Sequence, residues 1–486
     1  MNFGDANHLG PAITLFAGAG VVLGADVFTD RRAPARSLAL LTILLAALCA
    51  VAQAMWGPVE PGYGGIIRSD TFSSFFTFLL LAITAGVLSG ADAGMKRIAQ
   101  AGEFYALILV STASMVILTQ AQELITIFVA LETTSVCQFI LAGLARDDRS
   151  AEAGLKYLLT GAVSAAVLLY GFAFLFGLSG STNLEDIATV IAGAPEGGRL
   201  AIIAALVMVA AGLGFKMALV PFQAWVPDVY QGAPTPVTSF LAAASKAAGF
   251  AVTLRIFYTG LGGGDSFVAQ EWAMLFALLA AVSMTFGNLA AVQQTNVKRL
   301  LGYSSIAQAG NIAIGLAAVA SGSTLGASAV LFFLGSYAAT NVGAFICVIA
   351  ASNRIGSDDL RDYAGLLRRS PGVALVLSLC LLSLTGIPPT AGFLAKLYVF
   401  NAAVQTGHVW MVALVVVGVL NTAISAFYYL RWARVMLLDE PKDATTFTPS
   451  GTVGGLLTLS ALAVVFFGLN PTPLIDIARR AAATLL

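Results

Sequence analysis

Four charged side chains lie inside long apolar stretches of this chain, although only 10% of its residues are charged. A single charge near the centre of a bilayer costs from about 3 to more than about 10 kcal/mol, depending on how far it can reach water. The smallest cost arises where such residues face each other or water inside a helical bundle, and there they can bind or relay ions. The four residues are Glu132, Lys216, Lys246 and Lys396.

The composition is that of an all-α polytopic membrane protein. The 486 residues are 58% hydrophobic, and their mean hydropathy of +0.88 exceeds that of ordinary soluble domains. The formal net charge is zero, so nothing indicates a nucleic-acid partner. The cysteines are isolated and histidines are scarce, which argues against an iron–sulfur, haem or zinc site in this chain. These residues are Cys49, Cys137, Cys347, Cys380, His8 and His408.

Apolar runs of roughly 17–25 residues predict about fourteen transmembrane helices. Most of the 25 Lys and Arg residues fall in alternate loops. Because basic residues accumulate on the cytoplasmic side, this bias predicts a bacterial inner-membrane protein with both termini in the periplasm. The predicted helices are 11–28, 37–56, 71–90, 104–119, 124–145, 154–178, 200–219, 234–258, 270–292, 299–319, 325–350, 372–404, 409–432 and 452–470.

Two runs that are too long for one straight membrane helix contain helix breakers near a charged residue. Residues 200–231 include Pro221 and Pro227 near Lys216, and 372–404 includes Gly386 and two prolines before Lys396. Broken membrane helices with an ionisable group are typical of ion pathways in proteins built from repeats, although a proline kink can also serve packing alone. The two breaks lie five helices apart, and an odd separation reverses topology. We therefore predict N-terminal helices 1–3 in 1–103, inverted five-helix units in 104–258 and 259–432, and helix 14 in 433–486.

The depth of the charged residues suggests proton exchange. Lys246 follows Pro236 by ten residues, about 15 Å along a helix, which is the middle of a roughly 30 Å core. Desolvation there favours the neutral form of a lysine or a glutamate, and a nearby opposite charge restores the charged form. A static ion pair with Glu132 is the alternative, but three lysines cannot all pair with one glutamate. Lys156 is read equally as an interfacial anchor or as part of the relay.

Polar residues in membrane positions provide possible supporting groups. Ser304, Ser305 and Gln308 follow helical spacing in predicted helix 10 and line one stripe, which can hold water between distant lysines or join helices by hydrogen bonds. Tyr337 lies in predicted helix 11.

Several segments together resemble one protein family. Residues 152–157, 180–184, 220–237, 294–307 and 386–393 look like signatures of the antiporter-like membrane subunits of respiratory complex I, the bacterial NADH:quinone oxidoreductase. The form of the segment 227–236 is similar to that of the N-type subunits. These motifs extend from predicted helix 5 to predicted helix 13.

The resemblance implies an enzyme subunit that translocates protons between two half-channels formed by inverted repeats. It implies a charge pair of Glu132 with Lys216, a central relay at Lys246 and a terminal lysine at Lys396. No cofactor is expected in this chain. NADH, FMN, iron–sulfur clusters and quinone are expected on partner subunits, with K- and M-type subunits as neighbours.

Three positions depart from the family pattern. Gln223 and Gln308 stand where many relatives have histidine, and Gln231 stands where glutamate is common. Two other functions remain open at this point. The first is the ion-translocating subunit of a multisubunit monovalent cation/proton antiporter, and the second is a structural spacer that pumps nothing.

Overall fold

The computed structural model describes residues 7–29, 32–57, 61–94, 101–193, 198–262, 267–443 and 445–485. Across these ranges the chain is a bundle of helices without a β-strand. Thirteen of the helices are long and apolar enough to cross a membrane, which confirms the predicted fold class. Arg31, Lys96 and Arg97, which contribute to the loop-charge prediction, lie outside the described residues.

The first half of the bundle runs as far as residue 260. It contains a short amphipathic helix, Leu184–Ala192, which the sequence did not predict. The membrane helices of this half are α1 (Gly10–Thr29), α2 (Arg32–Trp56), α3 (Thr71–Gly94), α4 (Ala101–Gln120), α5 (Leu124–Gly143), α6 (Asp148–Ser179), α7a (Arg199–Met217) with its continuation α7b (Trp225–Gly232), and α8 (Thr235–Gly260).

The second half ends with a helix that the sequence did not predict. This last helix, Thr472–Ala483, is amphipathic and packs beside α3 and the helix Gly326–Ile355. The helices of this half are α9 (Phe267–Val292), α10 (Val297–Ala320), α11 (Gly326–Ile355), α12a (Pro371–Thr385), α12b (Ala391–Val404), α13 (Val409–Leu438), α14 (Gly451–Leu469) and α15 (Thr472–Ala483).

Both predicted breaks are present. α7a ends at Met217, where Ala218 takes a left-handed conformation with φ 64°. α12a ends at Thr385, where Gly386 takes the same conformation with φ 89°. Each connecting loop contains a cis prolyl peptide. The predicted helix 372–404 is therefore two shorter helices separated by five residues.

Three helices form the centre of the bundle. The membrane-spanning part of α8 is entirely buried, and α10 and α11 are almost as deeply enclosed. α8 is rich in alanine, and small side chains allow neighbouring helices to approach closely in a membrane. By contrast α14 is mostly exposed, and its apolar surface suits contact with lipid. The enclosed helices are those that bring polar groups together.

α8 departs twice from regular α-helical geometry. Leu241–Ser245 and Arg255–Gly260 are π-helical segments, each of which widens the turn and changes the direction of the residues that follow. Such widened turns occur frequently at functional sites. The first ends immediately before Lys246, so the orientation of this lysine depends on it.

A buried ion pair joins the end of α8 to the start of α3. The Arg255 guanidinium donates two hydrogen bonds of 2.7 Å to the Asp70 carboxylate, and its Nε donates to the carbonyl of Thr119. Burial disfavours the charged carboxylate, but the attraction and hydrogen bonds of Arg255 outweigh it and lower the pKa of Asp70. Removing one partner of such a pair costs about 3–5 kcal/mol.

Candidate functional site

The three predicted lysines are buried in the bundle. Lys216 lies in the last turn of α7a, Lys246 follows the π segment of α8, and Lys396 lies in the second turn of α12b. Their exposed fractions are 2%, 2% and 5%. Glu132 lies in the middle of α5 and is half-buried. The structure therefore encloses all three ammonium groups.

Lys216 belongs to a hydrogen-bond cluster centred on Gln138. Its ammonium donates to Ser135 Oγ at 3.2 Å and to Gln138 Oε1 at 2.9 Å. The same amide oxygen accepts from the Tyr157 hydroxyl at 3.1 Å and from Ser245 Oγ at 3.0 Å. Gln138 thus connects the first lysine to the residue that directly precedes Lys246.

Glu132 is not in direct contact with Lys216. Within the described part of the chain, its carboxylate has neither a hydrogen bond nor a salt bridge. The two groups are nevertheless close enough to interact electrostatically, because Glu132 lies one turn before Ser135 on α5. The charge pair expected from the family resemblance is therefore a longer-range attraction, and hydroxyl and amide groups hold the ammonium.

Lys246 lies between the two halves of the bundle. Its ammonium donates a hydrogen bond of 2.5 Å to the carbonyl oxygen of Ser305 in α10. It also lies 5.9 Å from the centre of the Tyr337 ring in α11. Among the described residues, no carboxylate forms a salt bridge with it. The contacts of this ammonium in the described structure are therefore a backbone carbonyl and an aromatic ring.

The hydroxyl of Ser305 joins three helices near Lys246. It accepts a hydrogen bond of 3.2 Å from the Tyr337 hydroxyl and lies 3.3 Å from the Tyr230 hydroxyl of α7b. Asn341 Nδ2 in turn donates to the Tyr337 hydroxyl at 2.8 Å. Tyr230 was not predicted as a site residue, because its position near the end of a short helix between two membrane helices does not indicate that its side chain is buried.

The predicted polar stripe of α10 makes contacts on several sides. Ser304 is hydrogen-bonded to the Tyr429 hydroxyl of α13, whereas Ser305 faces α7b and α11. Gln308 Nε2 donates to the carbonyl oxygen of Leu384, in the last turn of α12a, at 2.7 Å. These three residues thus connect α10 to the second broken helix and its neighbours.

Lys396 interacts with the break that precedes it. Its ammonium donates to the carbonyl oxygen of Thr385 at 2.8 Å and to Thr422 Oγ1 of α13 at 3.3 Å. The Thr385 carbonyl is free to accept because α12a ends at that residue. Gly386 adds space, since a Cβ atom there would lie 3.0 Å from Lys396 Cδ.

A small polar cavity separates Tyr337 from Lys396. It has about 10 Å³ of room for the centre of a water molecule, close to the minimum that one water needs. The Ser336 hydroxyl is buried and has no hydrogen-bond partner in the described segments. A water in this cavity would satisfy it and connect the surroundings of Lys246 to Lys396. The polar residues of the lining are Gln308, Ser336, Tyr337, Thr340, Ser383 and Lys396.

Lys156 lies apart from the buried lysines. It forms ion pairs of 2.7 Å with Glu152 and Asp228, and Asp228 also pairs with Arg299 at 2.5 Å. Burial of Asp228 opposes its charged form, but the hydrogen bonds of Lys156 and Arg299 outweigh this effect and lower the pKa of Asp228. Lys156 is therefore ion-paired at the edge of the bundle, away from the three buried amines.

The three departures from the family pattern occupy different surroundings. Gln223 lies in the loop between α7a and α7b, and its side-chain oxygen has no hydrogen-bond partner among the described residues. Gln308 is held by the α12a carbonyl. Gln231 accepts a hydrogen bond from Arg299 Nη1 at an open cavity of about 1090 Å³, which six carboxylates line. These are Asp147, Asp148, Glu152, Asp228, Asp358 and Asp359.

No group of three or more metal-ligating side chains occurs in the residues that the structure covers. The buried polar groups form an arrangement that can accept, hold and donate protons. Its parts are three buried amines, the carboxylate of Glu132 and the hydroxyl and amide groups between them.

Comparison with known proteins identifies relatives of nearly the same length. Residues 121–422 match the family described as NADH:quinone oxidoreductase/Mrp antiporter, transmembrane. The chain is 40% identical over 485 residues to NADH-quinone oxidoreductase subunit N of Dehalococcoides mccartyi, covering 98% of this chain and 99% of the relative.

Solved structures share the fold. A chain of respiratory complex I from Thermus thermophilus with bound aureothin is 32% identical, with a TM-score of 0.79 and coverage of 96% of this chain and 98% of that one. A chain of the Mrp complex from Dietzia is 20% identical, with a TM-score of 0.85 and coverage of 100% and 98%. The second likeness shows the fold alone.

Proposed function

We propose that this chain, which belongs to the family of NADH-quinone oxidoreductase subunit N, translocates protons as a membrane subunit of bacterial respiratory complex I. Other subunits of the complex are its partners, and we assign K- and M-type subunits as its neighbours. NADH, FMN, the iron–sulfur clusters and quinone are assigned to partner subunits. The proposed location is the bacterial inner membrane, with both termini in the periplasm.

The observation that carries this proposal is a series of polar contacts between the two broken helices. Lys216 contacts Gln138, and Gln138 contacts Ser245, the residue before Lys246. From Lys246 the series continues through Ser305 and Tyr337 to the polar cavity beside Lys396. A bundle needing only mechanical stability gains nothing from enclosing three amines, because each costs several kcal/mol to desolvate.

Proton transfer in this arrangement uses the neutral and charged forms of each lysine. A neutral amine accepts a proton from the side of Lys216, and the resulting ammonium donates one toward Lys396. Glu132 would stabilise the charged form of Lys216 by attraction across a short distance. A movement of α5 or α7a that changes this distance would change the proton affinity of Lys216.

We assign the two sides of the relay to inverted units, residues 104–258 and 259–432. The cavity near Asp228, lined by six carboxylates with Arg149 and Lys298, lies at the start of α6 and the end of α7b, on the side assigned to the cytoplasm by the loop charges. Its negative charge would raise the local proton concentration at the proposed uptake side. The carboxylates there compensate for the glutamine at position 231.

The two rival functions make different predictions. A cation/proton antiporter subunit shares this fold, but the relative at 40% identity is named as a subunit of NADH-quinone oxidoreductase. Co-purification with NADH-oxidising subunits supports complex I, and co-purification with antiporter subunits alone contradicts it. A structural spacer would leave the proton stoichiometry unchanged when a buried lysine is replaced.

The test is NADH-driven proton uptake by proteoliposomes containing the assembled complex. Lys246→Ala removes the central amine, and Lys246→Arg keeps a charge that cannot be released at physiological pH, so both should lower the protons moved per NADH. Glu132→Ala should also impair coupled uptake, and Glu132→Asp should retain part of it. Wild-type rate and stoichiometry in Lys246→Ala would show that this lysine is structural.

A further inference from the structure

One face of α11 extends from the Lys396 cavity back to the N-terminus of the helix, next to Leu325. Ser328, Phe332, Ser336 and Thr340 follow one another at intervals of four residues, so they form a single stripe. Ser336 and Thr340 line the cavity. Ser328 lies eight residues from Ser336, about 12 Å along the helix. The stripe therefore contains polar groups at both ends and one aromatic ring between them.

The end of this stripe at Ser328, which we call its outer end, is held by a chain of hydrogen bonds. Ser328 Oγ donates to the carbonyl oxygen of Leu325 at 2.9 Å, so the Tyr398 hydroxyl, 2.8 Å away, donates to Ser328. Arg479 Nε of α15 donates to the Tyr398 oxygen at 3.4 Å. Arg479 is exposed, whereas Ser328 and Tyr398 are buried. These contacts connect the exposed surface to the buried stripe.

Phe332 lies on the stripe between its two polar ends. It is fully buried, and its ring packs edge-on against the Tyr398 ring with centroids 5.8 Å apart. Tyr398 follows Lys396 by two residues on α12b, a half-helix of 14 residues that begins after the break. A movement of α12b therefore shifts Lys396 and one side of the aromatic contact together.

We propose that Phe332 and Tyr398 form an outer gate through which protons leave the Lys396 cavity, with Ser328 and Arg479 latching the tyrosine in its closed position. This gate rests on the proposed proton relay. With the gate open, the Lys396 ammonium gives its proton to cavity water, which carries it to the outer solvent. The neutral amine then accepts the next proton from the side of Tyr337. With the gate closed, the rings keep the outer solvent from the lysine.

The test measures passive proton leak in proteoliposomes that contain the whole complex, under an imposed pH gradient and without NADH. Phe332→Ala should raise the leak by about tenfold, equivalent to roughly 1.4 kcal/mol of barrier. The matched control is Phe276→Ala, which removes another fully buried ring, packed against Phe257 in α8. A leak in Phe332→Ala no greater than in Phe276→Ala would overturn the gate.

Two further variants keep the test independent of folding and of the relay. Phe332→Leu retains more bulk, so its leak should lie between those of the wild type and Phe332→Ala. It provides the measurement if Phe332→Ala fails to assemble. Tyr398→Phe keeps the ring but removes the latch, so its leak should exceed the wild-type value. A wild-type leak in Tyr398→Phe would contradict the latch. Because no electron transfer is involved, failure of the gate is distinguishable from failure of the lysine relay.

Discussion

The two broken helices share a backbone design but place their lysines on opposite sides of the break. α7a and α12a each end at a residue in the left-handed conformation, Ala218 and Gly386. Lys216 precedes the first break, whereas Lys396 follows the second. The lysine partners differ accordingly: Lys216 binds side chains of α5, and Lys396 binds the carbonyl oxygen that its own break leaves free.

This difference teaches how the two sites can be controlled. The side chains around Lys216 can rotate, and Glu132 can approach or withdraw as the helices shift. The Thr385 carbonyl beside Lys396 belongs to the backbone and moves only with the break itself. We therefore expect the first site to respond to side-chain changes in neighbouring helices and the second to respond to backbone changes.

The largest difference should appear when the glutamine near each site, Gln138 or Gln308, is replaced. Gln138→Leu removes the acceptor shared by Tyr157, Ser245 and the Lys216 ammonium, which keeps only Ser135, and each buried group left unsatisfied costs about 1–3 kcal/mol. Gln308→Leu removes the donor to the Leu384 carbonyl and an interaction with the Tyr429 hydroxyl, but no acceptor of a lysine ammonium. NADH-driven proton uptake, normalised to assembled complex, should fall further in Gln138→Leu. Equal losses would remove the distinction between the two sites.

A smaller effect, on thermal stability, is expected from replacing the residue in the left-handed conformation at each break. Its sign should be opposite at the two breaks. A non-glycine residue in this conformation costs roughly 1–2 kcal/mol, so Ala218→Gly should raise the thermal stability of the complex slightly. Gly386→Ala should lower it, because the new methyl group also contacts Lys396 Cδ at 3.0 Å. The same variant should reduce proton uptake. Stabilisation by Gly386→Ala would contradict this account of the second break.

The smallest effect concerns the ion pairs that anchor α7b, a feature that α12b lacks. The pKa of Asp228 is lowered in the folded protein. Its ion pairs therefore stabilise the protein above the ordinary carboxyl pKa of about 3.9, and this stabilisation is lost as the pH falls through the lowered value. Because Asp228 and its partners are partly exposed, the contribution should be about 1 kcal/mol or less.

The measurement is thermal unfolding of the solubilised complex with Asp228→Asn, compared with the exposed control Glu271→Gln. The difference between Asp228→Asn and wild type should be constant from about pH 8 to about pH 5, should shrink below about pH 4, and should disappear only as the pH falls through the lowered pKa of Asp228. A difference that grows on acidification would assign the stabilising role to another group.

The sequence predicted the parts of the site that local composition determines. The length of the apolar runs located the membrane helices. The prolines and glycines near Lys216 and Lys396 located both breaks, because a proline inside a helix removes a backbone hydrogen-bond donor. The three lysines were identified since a charge inside an apolar run is conspicuous without any knowledge of its neighbours.

The remaining features depend on which helix faces which. The role of Gln138 could not be predicted, because nothing local shows that three donors from other helices converge on its oxygen. The π segment before Lys246 consists of ordinary helix formers. The charge pair of Glu132 with Lys216 stays a prediction from the family resemblance. That Ser135 and Gln138 accept the hydrogen bonds of the ammonium depends on the rotation of α5, which the sequence does not show.

The central claim is that Lys216, Lys246 and Lys396 form one continuous proton path between the breaks. The most direct test compares protons moved per NADH in Lys216→Ala, Lys396→Ala and the double variant, in proteoliposomes with equal amounts of assembled complex. Residues that act as one unit give strongly non-additive losses, so the double variant should lose no more than either single variant. Losses that add in the double variant would show two independent sites and would contradict a continuous path.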